Sequence, residues 1–291
     1  MKGILPKTAD VLQQISTFDC INDYVLIGGT ALALQINHRV SEDIDFCKWK
    51  ITKTEKPQVN RLGIEKELSQ VGFAKRDILD TYHVDYTVKD VKVTFFCNSL
   101  YKKPAQLQTT TLINNVRLAD INSIGMMKLE AMMFRSKLRD YYDFFSILQA
   151  GGNFNLIIDG FLKYTNHDYR TRDVLSLLAD AKRIDSERNI NHLLPKYQVA
   201  QNEISAFLLP YIENYKNLRK GFTVDEMKDE LKKAGVKFSA LSEVQKLKLL
   251  KGKEIDINMA TMQLVRNNDG GVSLNIQCQE KNQANKYNIK Y

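Results

Sequence analysis

Cysteine is scarce in this chain and never clustered. Cys20, Cys47, Cys97 and Cys278 form no CxxC pair. That argues against a zinc module or a disulfide framework and suits a reducing compartment. Long apolar runs are missing too: no stretch approaches the roughly 18 residues of a membrane span. Met1–Gln14 lacks the apolar core of a signal peptide. A cytoplasmic location and no membrane partner are therefore expected. Familiar catalytic strings are also absent. There is no GxxxxGKS/T loop, no GxGxxG, no HExxH and no GxSxG. P-loop, dinucleotide-binding, zinc-protease and nucleophile-elbow chemistries lose their sequence support. His38, His83, His167 and His192 are scattered without ligand spacing. His38 is read as a solvated helix-end residue with no chemical role.

What remains is ordinary globular material with a basic tilt. The 291 residues are 44% hydrophobic and 26% charged, enough for one large domain or two ordinary ones. Lys and Arg outnumber Asp and Glu by 42 to 34, a formal charge of +8. Such a balance favours polyanionic partners, nucleic acid among them, without identifying one.

The pattern along the chain predicts a helix over Ala9–Phe18, a strand over Tyr24–Ile27 and a helix over Thr30–Asn37. A strand follows at Asp43–Phe46, then a helix over Asn60–Val71 closed by Gly72. Strands are expected at Tyr82–Val88 and Val91–Cys97 as a hairpin turning at Lys89-Asp90, and at Thr110–Arg117. Ala119–Leu148 reads as mostly helical and ends at Gly151-Gly152. Helical pattern continues from Phe154 to Lys216, with breaks near Asn166–Tyr169 and Leu194-Pro195. Amphipathic helices are expected at Phe222–Ala234 and Leu241–Leu250. From Asp256 large apolar residues thin out, which suggests a small module or a partly disordered segment. The expected division is 1–150, 151–220 and 221–291.

Two segments carry chemistry. In Asp43-Ile44-Asp45-Phe46, strand alternation sends both carboxylates to one face and Ile44 and Phe46 to the core. Carboxylates this close repel unless a cation lies between them. Hard oxygen ligands of this kind suit Mg²⁺, which takes substrate phosphates and waters as further ligands. Alone, the pair is more often a solvated acidic strand face. Upstream, Val25-Leu26-Ile27-Gly28-Gly29-Thr30 is an apolar strand, two glycines and a helix start. Gly28 and Gly29 let backbone N–H groups approach an anion, and the helix N-terminus favours phosphate. Thr30 adds a hydroxyl or a cap. Between the segments, Arg39 can meet a phosphate or a carboxylate, and Ser41 can bond a phosphate or orient Asp43. A phosphate cradle thus precedes a metal-binding pair by one short helix.

Taken together, Leu26-Ile27-Gly28-Gly29-Thr30-Ala31-Leu32 and Arg39-Val40-Ser41-Glu42-Asp43-Ile44-Asp45-Phe46 resemble the signature of the AbiEii/AbiGii toxin family of nucleotidyltransferases. That family lies within the polymerase-beta-like superfamily. The resemblance runs through about Leu148 and toward Lys216, and it leaves out the residues after 220. It implies an α+β fold: a nucleotidyltransferase domain with a mixed sheet, a helical region and a small C-terminal segment. A later family motif is matched by Lys128, Arg135 and Arg139-Asp140-Tyr141-Tyr142-Asp143. On one helix, at about 100° per residue, Lys128, Arg135 and Arg139 would fall within roughly 40° of each other. Asp143 would lie about 60° from Lys128 and Asp140 about 120° away. Without the upstream motif, such a helix reads as a solvated, salt-bridged face.

The expected activity is Mg²⁺-dependent transfer of a nucleoside monophosphate from an NTP to an acceptor hydroxyl. Asp43 and Asp45 are the expected metal ligands. Gly28, Gly29, Thr30, Arg39, Ser41, Lys128, Arg135 and Arg139 are expected on the nucleotide, and Asp140 or Asp143 to orient Lys128 or activate the acceptor. The resemblance implies a toxin of a toxin–antitoxin or phage-abortive system, with tRNA as acceptor and a cognate antitoxin as partner. One family feature is missing: Val91–Cys97 carries no third metal-binding carboxylate, which leaves Asp85, Asp140 or Asp143 as substitutes. That gap keeps open a non-catalytic nucleotide- or RNA-binding module. A protein or small-molecule acceptor is a further alternative.

Overall fold

Alternating apolar residues build the first part of the chain around one mixed sheet. The computed structural model describes residues 1–49, 58–78, 80–98, 107–184, 190–257, 260–267 and 270–278. Helix α1 (Pro6–Ile15) precedes strand β1 (Val25–Ile27), helix α2 (Gly28–Ile36) and strand β2 (Ile44–Trp49). Then come α3 (Arg61–Leu68), β3 (Phe73–Ile78), β4 (His83–Val88), β5 (Val91–Asn98), β6 (Thr109–Ile113) and β7 (Val116–Ala119). Helices α4 (Ile121–Phe134), α5 (Leu138–Gln149), α6 (Phe154–Tyr164) and α7 (Thr171–Ala179) follow. The strand order is β3-β4-β5-β2-β1-β7-β6. β2 runs parallel to β5 and β1 parallel to β7, while the other neighbours are antiparallel. The expected α+β architecture with a mixed sheet is present. β3 escaped the sequence reading.

The reason for each element is local. Ile44 and Phe46 are buried in the core, so the alternation of β2 turns Asp45, Cys47 and Trp49 to the opposite face. The β4–β5 hairpin turns at Lys89 and Asp90 as expected, with φ of 47° and 59°. Two left-handed residues match the twist of the flanking strands, and Lys89 Nζ is tied to Gln14 Oε1 at 2.9 Å. The single strand expected over Thr110–Arg117 is instead a hairpin. It turns at Asn114 (φ 46°), whose side chain donates to Ser16 Oγ at 2.8 Å. No glycine marks that turn.

A second correction concerns the single helix expected over Ala119–Leu148. The chain leaves α4 at Arg135, which is extended (φ −146°, ψ 156°), and α5 starts at Leu138. On a straight helix Lys128 and Asp140 would be separated by about 18 Å of rise. They are instead 3.0 Å apart, because the break folds α5 back against α4. The angular argument that aligned Lys128 with Arg139 and Asp143 therefore fails; tertiary packing brings them together.

The chain has two compact units, Met1–Tyr211 and Ile212–Tyr291, divided within α8 (Gln201–Leu218). The second unit holds α9 (Val224–Lys233), α10 (Glu243–Leu250), β8 (Ile255–Ile257), β9 (Ala260–Arg266) and β10 (Val272–Cys278). Its strands pair in the order β10-β9-β8, all antiparallel. Met227, Leu231, Leu249, Ile255, Met262 and Leu264 form a core of their own. These strands went unread in a segment poor in large apolar residues, although β10 alternates apolar and polar residues from Val272 to Cys278. Thr223 with Glu226, and Ser242 with Gln245, close capping boxes on α9 and α10.

One cap can be tested. Asp120 accepts from the N–H groups of Asn122 and Ser123, both at 3.0 Å, and from Ser123 Oγ at 2.6 Å. Asp120→Ala is expected to lower the unfolding free energy by about 1–2 kcal/mol, with Asp120→Asn recovering part of it. Urea denaturation measures both.

Candidate active site

The site is assembled from the end of β1, the start of α2, the loop into β2, and the packed pair α4–α5. Gly28 takes φ +71°, and a Cβ there would sit 2.7 Å from Asp45 Oδ2. A Cβ on Gly29 would collide with the Arg39 guanidinium and lie 3.1 Å from Ser41 Oγ. Both glycines are thus required by close approach, and Gly28 by conformation as well. The first-turn N–H groups of α2 have no intrahelical acceptor. Buried Thr30 is hydrogen-bonded to Ser41 Oγ at 2.9 Å, and its hydroxyl also meets the Asp43 carbonyl oxygen. Those bonds tie the glycine turn to the acidic strand.

The loop His38–Ser41 is pinned from several sides. Val40 N donates to the Leu193 carbonyl at 2.7 Å and Ser41 N to the Gly3 carbonyl at 2.9 Å. The Tyr142 hydroxyl donates to the His38 carbonyl at 3.0 Å. These restraints deliver Arg39 and His38 to the buried Asp143. Arg39 Nε and Nη2 lie 2.7 and 2.9 Å from its two oxygens, His38 Nε2 2.8 Å and Lys128 Nζ 2.6 Å. Asp140, equally buried, accepts from Lys128 Nζ at 3.0 Å and from Arg135 Nε and Nη2 at 2.7 and 3.0 Å.

Burial alone would raise both carboxyls. The Arg39 and Lys128 charges and the His38 hydrogen bond overrule it for Asp143, which is held well below the usual carboxylate range. Lys128 and Arg135 do the same for Asp140. His38 is pushed down by burial against the pull of Asp143. It is not the solvated residue expected from sequence; it is 1% exposed. Nothing in the sequence separates it from an ordinary loop histidine, since its partner lies on α5.

Asp43 and Asp45 face a cavity of about 680 Å³ that Gly28, Lys128, Arg135 and Arg139 also line. A smaller, polar pocket of about 120 Å³ adjoins it at Gly29, Arg39 and Ser41. Asp45 is pushed up, first by burial and then by the charge of Asp43. Lys128, Lys92 and Thr94 offset part of this, and a divalent cation between the two carboxylates would relieve the rest. Among the described residues no three His, Cys, Asp or Glu side chains converge as a metal cluster. Two carboxylates fit Mg²⁺ if waters and substrate oxygens complete its shell.

Thr94 is the register partner of Asp45 on β5, so a threonine stands beside the pair where a third carboxylate was sought. Thr94 Oγ1 donates to Asp85 Oδ1 at 2.8 Å, and Lys92 Nζ holds Asp85 Oδ2 at 2.8 Å. Asp85 is engaged one strand further away. Asp140 and Asp143 sit behind Lys128 and do not line the cavity. Every one of their carboxylate oxygens already accepts from a cationic or imidazole donor. Of the roles expected for them, the geometry leaves orientation of Lys128. Arg139 lines both cavities and makes no hydrogen bond or ion pair with the described residues.

A cavity with carboxylates for a cation, and backbone N–H groups with a lysine for phosphates, is arranged for a nucleoside triphosphate. The class so defined is the nucleotidyltransferases. A model of the AbiEii nucleotidyl transferase toxins of type IV toxin–antitoxin systems matches residues 10–234, and the chain belongs to that family. An uncharacterized protein of Aquifex aeolicus (strain VF5) is 25% identical over 154 residues, 52% of this chain and 70% of that protein. A solved structure from H. pylori, assigned as a nucleotidyltransferase, covers 72% of this chain and 94% of its own at 17% identity and a TM-score of 0.46. MenT4, a nucleotidyltransferase toxin of Mycobacterium tuberculosis H37Rv, covers 76% and 86% at 14% identity and a TM-score of 0.41.

Two predictions follow from these charges. Asp140 and Asp143 bind protons more weakly folded than unfolded, so their stabilisation is full above the usual carboxylate range and is lost as pH falls through their folded pKa. His38 acts in the same direction, because below its ordinary value of 6.5 the unfolded chain takes the proton first. Unfolding free energy should fall steadily as pH drops from about 6.5. Asp143→Asn should cost about 3–5 kcal/mol at neutral pH and flatten the acid slope, as read by urea denaturation at stepped pH. Asp45 has the opposite sign. Asp45→Asn should raise metal-free stability by about 0.5–2 kcal/mol, as read by urea denaturation with a chelator present.

Proposed function

We propose that the unit Met1–Tyr211 transfers a nucleoside monophosphate from an NTP to an acceptor hydroxyl, with tRNA as the acceptor. The observation that carries this is the convergence of Asp43, Asp45 and Lys128 on one cavity at a glycine-lined helix N-terminus. Asp43 and Asp45 would hold Mg²⁺, whose chemistry is to neutralise the triphosphate and stabilise the charge developed in displacement. The first-turn N–H groups at Gly28–Thr30 and the Ser41 hydroxyl bind the outer phosphates. Lys128 uses two of its three N–H bonds on Asp140 and Asp143 and turns the third to a phosphate. Arg139 supplies an unpaired guanidinium at the same wall, and Arg135 borders it. Arg39 spends three of its five N–H bonds on Asp143 and the Val40 carbonyl, leaving two for phosphate. The acceptor oxygen bonds to the α-phosphorus as the bond to the β-phosphate oxygen breaks. Pyrophosphate leaves and the hydroxyl proton passes to water.

Family membership supports a toxin with a cognate antitoxin as partner. Four cysteines that form no disulfide, and the lack among the described residues of a helix long and apolar enough to cross a membrane, are consistent with a cytoplasmic location. The formal charge of +8 favours an RNA acceptor over a small molecule. The helical stretch 151–220 completes the walls through Tyr164 and Leu193, and residues 221–291 are read as accessory.

The test is transfer of label from each α-labelled NTP to total tRNA with Mg²⁺. Unsubstituted protein should label the RNA, and Asp43→Ala/Asp45→Ala should lose at least about 10³-fold. Labelling that persists in the double variant would remove the assignment.

A further inference from the structure

The floor of the cavity changes character along its length. β2 presents Asp43, Asp45, Cys47 and Trp49, and β5 presents Lys92, Thr94, Phe96 and Asn98. The strands are parallel and in register, with Asp45 opposite Thr94, Cys47 opposite Phe96 and Trp49 opposite Asn98. One end is ionic and the other aromatic, about 13 Å apart at roughly 3.3 Å per residue. Met127, Phe134 and Tyr164 also line the cavity, Tyr164 at the aromatic end beside Asn98. Phe134 is 62% exposed, and the Asn98 amide donates to the Tyr164 hydroxyl at 3.2 Å. Trp49 is 6% exposed, and its buried Nε1 has no hydrogen-bond partner among the described residues.

The direction of the reaction assigns this end. Gly28, Gly29, Ser41 and Arg39 lie at the ionic end, where the outer phosphates and the departing pyrophosphate belong. In-line displacement brings the attacking oxygen to phosphorus from the side opposite the pyrophosphate, and the cavity runs from the ionic end toward Trp49. We propose that the aromatic end seats the terminal nucleobase of a nucleic-acid acceptor, packed against Trp49 and Phe96. Stacking on aromatic faces is how single strands are held without dependence on one sequence. The proposal rests on the transferase reading and adds the chemistry of the acceptor to it.

Trp49 is the single tryptophan of the chain, so its emission reports this seat directly. The full chain is titrated with a short ribo-oligonucleotide bearing a free 3′ hydroxyl, with and without a non-reactive NTP analogue. Saturable change in Trp49 emission on adding the oligonucleotide is expected. In the labelling assay Trp49→Ala should raise the KM for RNA about 10-fold, the size of one lost stacking contact, with the KM for NTP unchanged. Trp49→Phe, which keeps a ring, should recover most of the loss. Emission that responds to the NTP analogue alone would give the seat to the nucleotide's own base and overturn the proposal. Label transfer to RNA with emission unchanged would overturn it too, while leaving the transferase reading intact. Emission change without transfer would keep the seat and remove the transferase reading.

Discussion

The Lys128 ammonium, shared between the buried carboxylates of Asp140 and Asp143 at 3.0 and 2.6 Å, is the interaction on which the rest of the site depends. It closes α5 onto α4 across the break at Arg135. It also faces the wall where Asp43 and Asp45 stand. Buried ion pairs seldom add net stability, since desolvation offsets most of their attraction. Their value here is positional. Asp143 also takes Arg39 and His38, so a residue on α5 fixes the loop that carries Ser41 toward the acidic strand. Remove one carboxylate and two or three cations lose their geometry together.

Charge is separated in depth. Cations are tied to acids behind the wall, and the cavity keeps an acidic pair whose repulsion Lys128 and Lys92 offset only in part. Asp45, pushed up by burial and by Asp43, is the least comfortable carboxylate described. Such a group is held in place by the fold around it: Ile44 and Phe46 are locked in the core, and the sheet register dictates which way Asp45 points. The same register runs from carboxylates to aromatics along the floor, so the strands that position the charge also define a long, two-natured cavity. Family membership makes the chain a nucleotidyltransferase, and the cavity gives the proposed substrates one long axis to lie along.

Much of this was legible in the sequence where the cause is local. The glycine turn, the acidic strand and the β4–β5 hairpin follow from residue types within a few positions of each other. What failed to show depends on contacts far apart in the chain. His38 looks like any loop histidine until Asp143, 105 residues away, is brought to it. Arg135 ends α4 although no proline or glycine stands there, because Asp140 draws it back. The Asn114 hairpin lacks a glycine at its turn, and the strands of the second unit lack full apolar runs, although Gly270 and Gly271 stand between β9 and β10. Trp49 and Phe96 are two aromatics among many until register places them in one row. Asp140 and Asp143 stand out in the sequence as a motif, but only packing shows that they sit behind Lys128 and off the cavity wall.

Calorimetry of NTP binding in the presence of Mg²⁺, comparing the unsubstituted protein with Lys128→Gln, tests the central claim most directly. The account predicts binding that requires the cation and weakens about 10-fold or more without the lysine charge, in a variant that remains folded. Equal affinity in the two proteins would contradict it, and would place the triphosphate somewhere other than the wall that Lys128 and the Asp43–Asp45 pair share.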